Sequence, residues 1–182
     1  MRTSQLLKAG VHPRDVYALR DGGFLEPLAR GLYRLAELPS LSNPDLVTVA
    51  LKVPEGVVCL VSALAFHQIT TQIPHEVSIA VPRGTETPRL RYPPIRVFWF
   101  SRLGMTEGAE VHELDDAKVR IFSPEKTLAD CFKYRNKIGL EIALEALKLY
   151  RSRRQVKVDL LLKYAALCRV ERIMRPYIEA IL

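Results

Sequence analysis

The sequence predicts an α+β protein, in which a small unit of two helices and a hairpin precedes a mixed α/β domain with a helical C-terminus. Gly10 and Gly22 each end a short segment of helical periodicity, and two short apolar runs then flank Ala29-Arg30-Gly31. Several strand-like runs occur between residues 57 and 122, and helical periodicity extends from Leu140 to the end. Strands followed by a run of helices are typical of this fold class.

The N-terminal unit is predicted from helix and turn signals. Residues 3–10 (TSQLLKAG) form a first helix, and residues 13–21 (PRDVYALRD) form a second, with Pro13 at its first position, where a missing N–H costs nothing. Residues 24–28 and 32–35 are the two strands of a hairpin, in which Gly31 can adopt a left-handed conformation. Since Pro27 cannot donate a ladder hydrogen bond, we expect its strand to be an edge.

A polar, proline-containing connector, AELPSLSN, divides the chain into domains at residues 1–38 and 43–182. The second domain has helical signals after Asn43 and after Ser62, which we expect to cap its helix. Strands are predicted at residues 57–61, 76–82, 95–101, 111–114 and 118–122, and a helix follows Ser123-Pro124.

Composition limits the classes of protein to consider. The 182 residues, 48% of them hydrophobic, suffice for one medium core and a small satellite unit. The longest apolar run, residues 57–66, is far shorter than the ~20 residues of a membrane helix. The three cysteines are separated and lie in apolar surroundings, which indicates buried thiols in a reducing compartment. We therefore expect a cytoplasmic protein without membrane contact.

The formal charge of +7 favours an anionic partner, with nucleic acid ahead of a membrane surface. Many cytosolic proteins are simply basic, however, so charge alone decides nothing.

The order helix, turn, helix, hairpin predicts a winged helix-turn-helix. The second helix would enter the major groove and present Arg14, Tyr17 and Arg20 to phosphates and base edges. The hairpin would bring Arg30 to the DNA backbone, and Gly31 would allow a close approach. The alternative is an ordinary αα-β corner with solvated arginines.

Only Met1 and Arg2 precede the helix pair, so we expect the usual first helix of a winged helix to be missing. Three explanations remain open: a truncated start, cover of that face by the later domain, or a unit that no longer binds DNA.

A second basic zone lies between residues 133 and 157, a segment that contains eight cations and only two carboxylates. Lys148, Arg151, Arg153 and Arg154 are its densest part. Either it is a solvated helix face, or it is a surface for DNA or for an acidic or nucleotide-handling protein. The arginines around residues 83–94 would extend it.

Catalysis finds little support. The four histidines are scattered, and no nucleophile elbow or phosphate-cradling loop is present. A nuclease needs clustered carboxylates with a lysine beside them. The residues that come nearest to this pattern are Asp115, Asp116, Glu125, Lys126 and Asp130. Turn and helix-start roles explain these better. We predict no enzyme activity, no metal and no cofactor.

Four segments together carry a resemblance to a known family: GLYRL (31–35), VSALAFHQIT (61–70), VSIAVPRG (77–84) and VRIFSPEKTLADCF (119–132). In this order they resemble the AbiEi-type antitoxins of bacterial type IV toxin–antitoxin systems. The resemblance implies a regulator that represses its own operon and counteracts a cognate nucleotidyltransferase-like toxin. It also implies that Arg14, Tyr17, Arg20, Arg30, Gly31 and Tyr33 face double-stranded DNA of the promoter.

A repressor of pseudo-palindromic sites is usually a homodimer or binds as two adjacent copies. The alternative function is a protein-interaction module that neutralises a partner without sequence-specific DNA binding.

Overall fold

The computed structural model describes residues 1–181 and confirms the mixed α+β class. Within these residues it contains ten helices, one two-stranded sheet and one five-stranded sheet. No helix in this part of the chain is long and apolar enough to cross a membrane.

The N-terminal unit consists of two helices and a hairpin, as predicted. Its elements are α1 (Thr3–Lys8), α2 (Pro13–Asp21), β1 (Leu25–Ala29) and β2 (Leu32–Leu35). Arg2 pairs antiparallel with Leu32, on the side of β2 away from β1, which leaves β1 and its Pro27 at the edge. Leu6, Val16, Leu25 and Tyr33 form a small core of their own.

The second domain supplies the remaining elements. They are α3 (Pro44–Lys52), β3 (Val57–Val58), α4 (Leu60–Phe66), β4 (Val77–Pro82), β5 (Ile95–Phe100), α5 (Arg102–Thr106), β6 (Ala109–Leu114), β7 (Ala117–Phe122), α6 (Pro124–Lys133), α7 (Arg135–Ile138), α8 (Leu140–Arg151), α9 (Val158–Leu167) and α10 (Glu171–Ile181).

The larger sheet is mixed, with strand order β5-β4-β3-β7-β6. The central pair β3/β7 is parallel, as is β4/β5, whereas β3/β4 and β6/β7 are antiparallel. The short connections explain the antiparallel pair β6/β7, whose turn residues Asp115 and Asp116 both have positive φ.

The sheet has helices on both faces, because adjacent residues of a strand point in opposite directions. Val58 and Ile121 face the cluster that α3 covers, and their neighbours Val57 and Phe122 belong to the main core. That core is closed by α4, α6 and the C-terminal helices. Helix α6 is the most deeply buried of them, since eight of its ten residues are buried.

Three local predictions need correction. Strand β3 is two residues long, and α4 begins at Leu60 rather than after Ser62. The Ser62 hydroxyl does not cap a helix; it accepts from the Ser78 amide at 2.9 Å and donates to the Glu76 carbonyl at 3.2 Å, and so ties α4 to β4. Helix α5 was not predicted at all. Cys59, Cys131 and Cys168 are free and buried, as expected.

Candidate nucleic-acid interface

Helix α2 begins as its sequence predicts. The ring of His12 accepts from the Arg14 amide at 3.2 Å, and Pro13 occupies the first helical position. Val16 is buried beneath the helix, whereas Arg14 and Tyr17 are exposed. Arg14 forms no ion pair with a carboxylate within residues 1–181, so its guanidinium is available to an anion.

Arg20 is engaged differently. Its guanidinium lies 2.7 Å from the Asp21 carboxylate and 5.1 Å from the centre of the Tyr17 ring. The carboxylate hydrogen bond and its charge raise the pKa of Arg20. Because both groups are exposed, this pair contributes little to stability. A phosphate would nevertheless compete with Asp21 for Arg20, which is therefore a weaker anion contact than Arg14.

The hairpin turns at Arg30 and Gly31. Arg30 is exposed and has no carboxylate partner among the described residues. Gly31 has φ of +68°, a conformation that favours glycine, and its carbonyl accepts from the Thr3 amide at 3.0 Å. The predicted chemistry of the tip is therefore present: a free cation beside a glycine.

Tyr33 does not face outward as the resemblance implies. Only 8% of it is exposed, and it packs with Leu6, Val16 and Leu25 in the core of the N-terminal unit. Leu32 and Tyr33 are adjacent on β2, so their side chains point to opposite faces of the hairpin. Both side chains are buried, because this part of the strand is covered on both faces.

Some apolar side chains of the helix pair are buried and others are exposed. Leu6 and Val16 are buried, but Leu7 and Leu19 remain 43% and 40% exposed. Phe24, at the start of the hairpin, is 66% exposed. The unit therefore shows apolar side chains beside its cations.

Two cations that the sequence does not single out attach the hairpin to the second domain. The guanidinium of Arg2 donates to the Leu51 carbonyl, and the ammonium of Lys52 donates to the Arg30 carbonyl. The hairpin thus rests on the C-terminal end of α3 and does not project freely. Each of the two cations is an isolated basic residue in the sequence, and such residues give no signal of this role.

The second basic surface is less uniform than its composition indicates. Lys148, Arg151 and Arg154 are exposed. Arg153 is half-buried, with its guanidinium donating to the His67 carbonyl and lying 6.0 Å from the centre of the Tyr150 ring. Arg153 therefore serves the structure, and three of the four predicted cations remain as a surface.

A cleft of about 490 Å³ lies beside these residues and holds charges of both signs. Glu125 accepts from the Tyr150 hydroxyl at 2.7 Å, and His112 lies 3.3 Å from Glu110. Burial raises the pKa of Tyr150 to about 12. Because the carboxylates offset the cations, this cleft is not a strong anion site.

The nuclease-like set does not form one site. Asp115, in the turn before β7, accepts from the Ser42 amide at 3.0 Å, whereas Lys126 and Asp130 form a buried ion pair in α6, which follows the other end of that strand. Glu125 is held by Tyr150. Within residues 1–181 no three His, Cys, Asp or Glu side chains are grouped so that they could hold a metal ion.

The mixed α+β fold of this chain occurs in another protein of known structure. The crystal structure of RV2827C protein from Mycobacterium tuberculosis is similar, with a TM-score of 0.56 at 16% sequence identity, over 90% of this chain. The similar part is 64% of that protein's chain, so this chain spans less than two thirds of its length. At this identity the likeness shows the fold alone. No protein-family model and no curated protein match the sequence.

Proposed function

We propose that the chain is a DNA-binding antitoxin and autorepressor of a type IV toxin–antitoxin operon, which counteracts a nucleotidyltransferase-like toxin. The N-terminal unit would act as a winged helix-turn-helix. The observation that carries the proposal is that Arg14 on α2 and Arg30 at the hairpin tip are both exposed without a carboxylate partner in the described chain. Both lie on a unit that has a small core of its own.

The physical argument for DNA is electrostatic. When unpaired guanidinium groups neutralise phosphates, the DNA releases its condensed counterions, so the affinity depends on the salt concentration. A helix that presents such a group, followed by a hairpin that presents another, is the arrangement by which winged helices contact a groove and the adjacent backbone. Arg30 would contact phosphate, and Arg14 and Tyr17 would read base edges or phosphate.

The test is a titration of the chain's own promoter and of scrambled DNA, at several salt concentrations, followed by fluorescence anisotropy. We expect the promoter to be preferred. Removal of two phosphate contacts in Arg14→Gln/Arg30→Gln should reduce the salt slope by about 1.8, at roughly 0.9 per contact.

The matched control is Arg169→Gln/Arg172→Gln, which removes the same charge from two exposed residues, one in the turn between α9 and α10 and one in α10. Equal, weak binding of wild type to both DNAs would remove sequence readout. Unchanged binding by the Arg14/Arg30 variant would end the winged-helix assignment.

The antitoxin half of the proposal rests on the second domain, which contains three of the four segments that carry the family resemblance. Co-expression with the nucleotidyltransferase-like product of a neighbouring reading frame tests it. Wild type should restore growth, and Arg14→Gln/Arg30→Gln should restore it equally, because that variant leaves residues 43–182 intact. A chain that leaves the toxin fully active would refute the antitoxin role and leave a plain repressor.

One observation favours the alternative, a protein-interaction module without DNA readout. Leu19, Phe24, Leu35 and Leu38 are 40–66% exposed around the base of the hairpin. Exposed apolar side chains in a group mark protein contacts. Phe24→Ser distinguishes the two functions, since it should weaken toxin neutralisation under the alternative and leave it unchanged if DNA readout is the N-terminal unit's role.

A further inference from the structure

A groove of about 1240 Å³ separates the hairpin from the loop that connects β4 to β5. Pro27, Ala29 and Arg30 of the hairpin form one wall, and most of residues 87–95 form the other. Lys52, the last residue of α3, also lines it. The groove thus brings together three segments that are distant in sequence.

The charge of this groove has one sign. Arg30, Lys52, Arg89 and Arg91 line it, and none of its twelve lining residues in the described chain is an aspartate or glutamate. Glu86 belongs to the same loop but does not line the groove. Burial, and then the neighbouring charges of Arg2 and Arg30, lower the pKa of Lys52, as expected where cations are crowded.

The two loop arginines are free to bind. Both are exposed, and neither forms an ion pair with a carboxylate of residues 1–181. Arg96, on the strand that follows, differs because it lies 3.7 Å from Glu76. Of the loop arginines without an ion pair, Arg89 and Arg91 line the groove, whereas Arg83 does not.

Two contacts anchor the backbone of the loop. The indole N–H of Trp99 donates to the Thr85 carbonyl at 3.0 Å. Leu90 packs against the cluster of Val49, Ile79 and their neighbours between α3 and the sheet. Because Leu90 packs there, the backbone positions of Arg89 and Arg91 on either side of it are held beside the groove.

We infer that this groove, lined by Arg30, Lys52, Arg89 and Arg91, is a second backbone-binding surface for duplex DNA, continuous with the hairpin tip. The inference rests on the proposed function and deepens it. Arg30 belongs to both surfaces, so a duplex bound at the tip passes directly beside the loop. Four cations in a groove without a lining carboxylate attract phosphates, and such contacts position DNA without reading its sequence.

The first test is Arg89→Gln/Arg91→Gln, in the anisotropy titration with promoter and scrambled DNA. Loss of two phosphate contacts should reduce the salt slope by about 1.8. Between 50 and 200 mM salt, the affinity of the variant should therefore fall by a factor about ten times smaller than that of wild type. The ratio of promoter to scrambled affinity should stay constant, because backbone contacts carry no sequence information. Arg169→Gln/Arg172→Gln is again the matched control.

The second test locates the DNA directly. Since the three native cysteines are buried, Thr87→Cys introduces an exposed thiol at the groove that a benzophenone maleimide can label selectively. Irradiation should crosslink promoter DNA at this position and not at Ala166→Cys, an exposed control on α9.

The outcomes separate this inference from the proposed function. If wild type prefers its promoter, but Arg89→Gln/Arg91→Gln keeps the full salt slope and Thr87 gives no crosslink, the groove assignment is wrong and the winged-helix proposal stands. If wild type does not bind DNA, both fail. A crosslink from Thr87 to an acidic protein and not to DNA would likewise overturn the assignment.

Discussion

The buried ion pair of α6 gives the sharpest prediction about what holds the second domain together. The Lys126 ammonium lies 2.5 Å from the Asp130 carboxylate, one helical turn away, and the two side chains are 1% and 0% exposed. The ammonium also lies 4.4 Å from the centre of the Phe122 ring. Asp130 accepts one further hydrogen bond, from the Cys168 thiol at 3.2 Å.

Lys126→Met should destabilise the protein by about 3–5 kcal/mol, the usual cost of leaving one member of a buried pair uncompensated. Burial raises the pKa of Asp130, and the ammonium opposes that rise. Without the ammonium, Asp130 avoids an uncompensated buried charge by binding a proton. A carboxyl whose pKa is higher in the folded state contributes stability at low pH that is lost as pH rises, so the variant should be least impaired in acid.

The assay is denaturant unfolding followed by circular dichroism, with free energies from linear extrapolation. The double variant Lys126→Met/Asp130→Asn removes both charges and should recover part of the loss, because no uncompensated buried charge remains. A single variant within about 1 kcal/mol of wild type, or a double variant less stable than the single one, would refute the reasoning.

Three further predictions concern single positions. Gly108→Ala should destabilise by about 1–3 kcal/mol in the same assay, because the new Cβ would lie 2.7 Å from that of Lys126 at a φ of +71°; an unchanged midpoint would contradict this. Burial lowers the pKa of His67, so the unfolded chain is protonated at a higher pH than the folded one, and stability falls as pH drops below about 6.5. His67→Gln should make stability depend less on pH in this range. An equally steep dependence in the variant would mean that other groups cause it. Asp21→Asn should free Arg20 for phosphate and increase the salt slope of promoter binding by about 0.9; unchanged binding would mean that Arg20 does not reach the DNA.

The elements of the N-terminal unit could be predicted because their signals are local. Pro13, Gly22 and Gly31 act through the backbone of the residue itself, and the structure confirms the helix and turn at each. The same holds for Ser123, which caps α6 by accepting from the Lys126 amide at 3.3 Å. Signals of this kind do not depend on the rest of the fold.

Burial was predicted less well, because it depends on what packs from elsewhere. Val16 is buried, whereas Leu19, three residues later on the same helix, is 40% exposed. Tyr33 was assigned to the DNA face, although two helices and a strand enclose it. Helix α5 was missed because it is five residues long and contains a glycine.

By itself, the sequence determined the α+β class, the order of helix pair, hairpin and mixed domain, and the surplus of positive charge. These follow from periodicity, capping and turn chemistry, which act over a few residues. Only the tertiary structure decided which cations are unpaired. Arg20 forms an ion pair with Asp21, Arg153 donates to the His67 carbonyl, and Arg30 has no carboxylate partner in the described chain. Electrostatic energy depends on distance in space, so a groove that joins residue 30 to residue 91 exists only once α3 and the sheet have brought the two segments together.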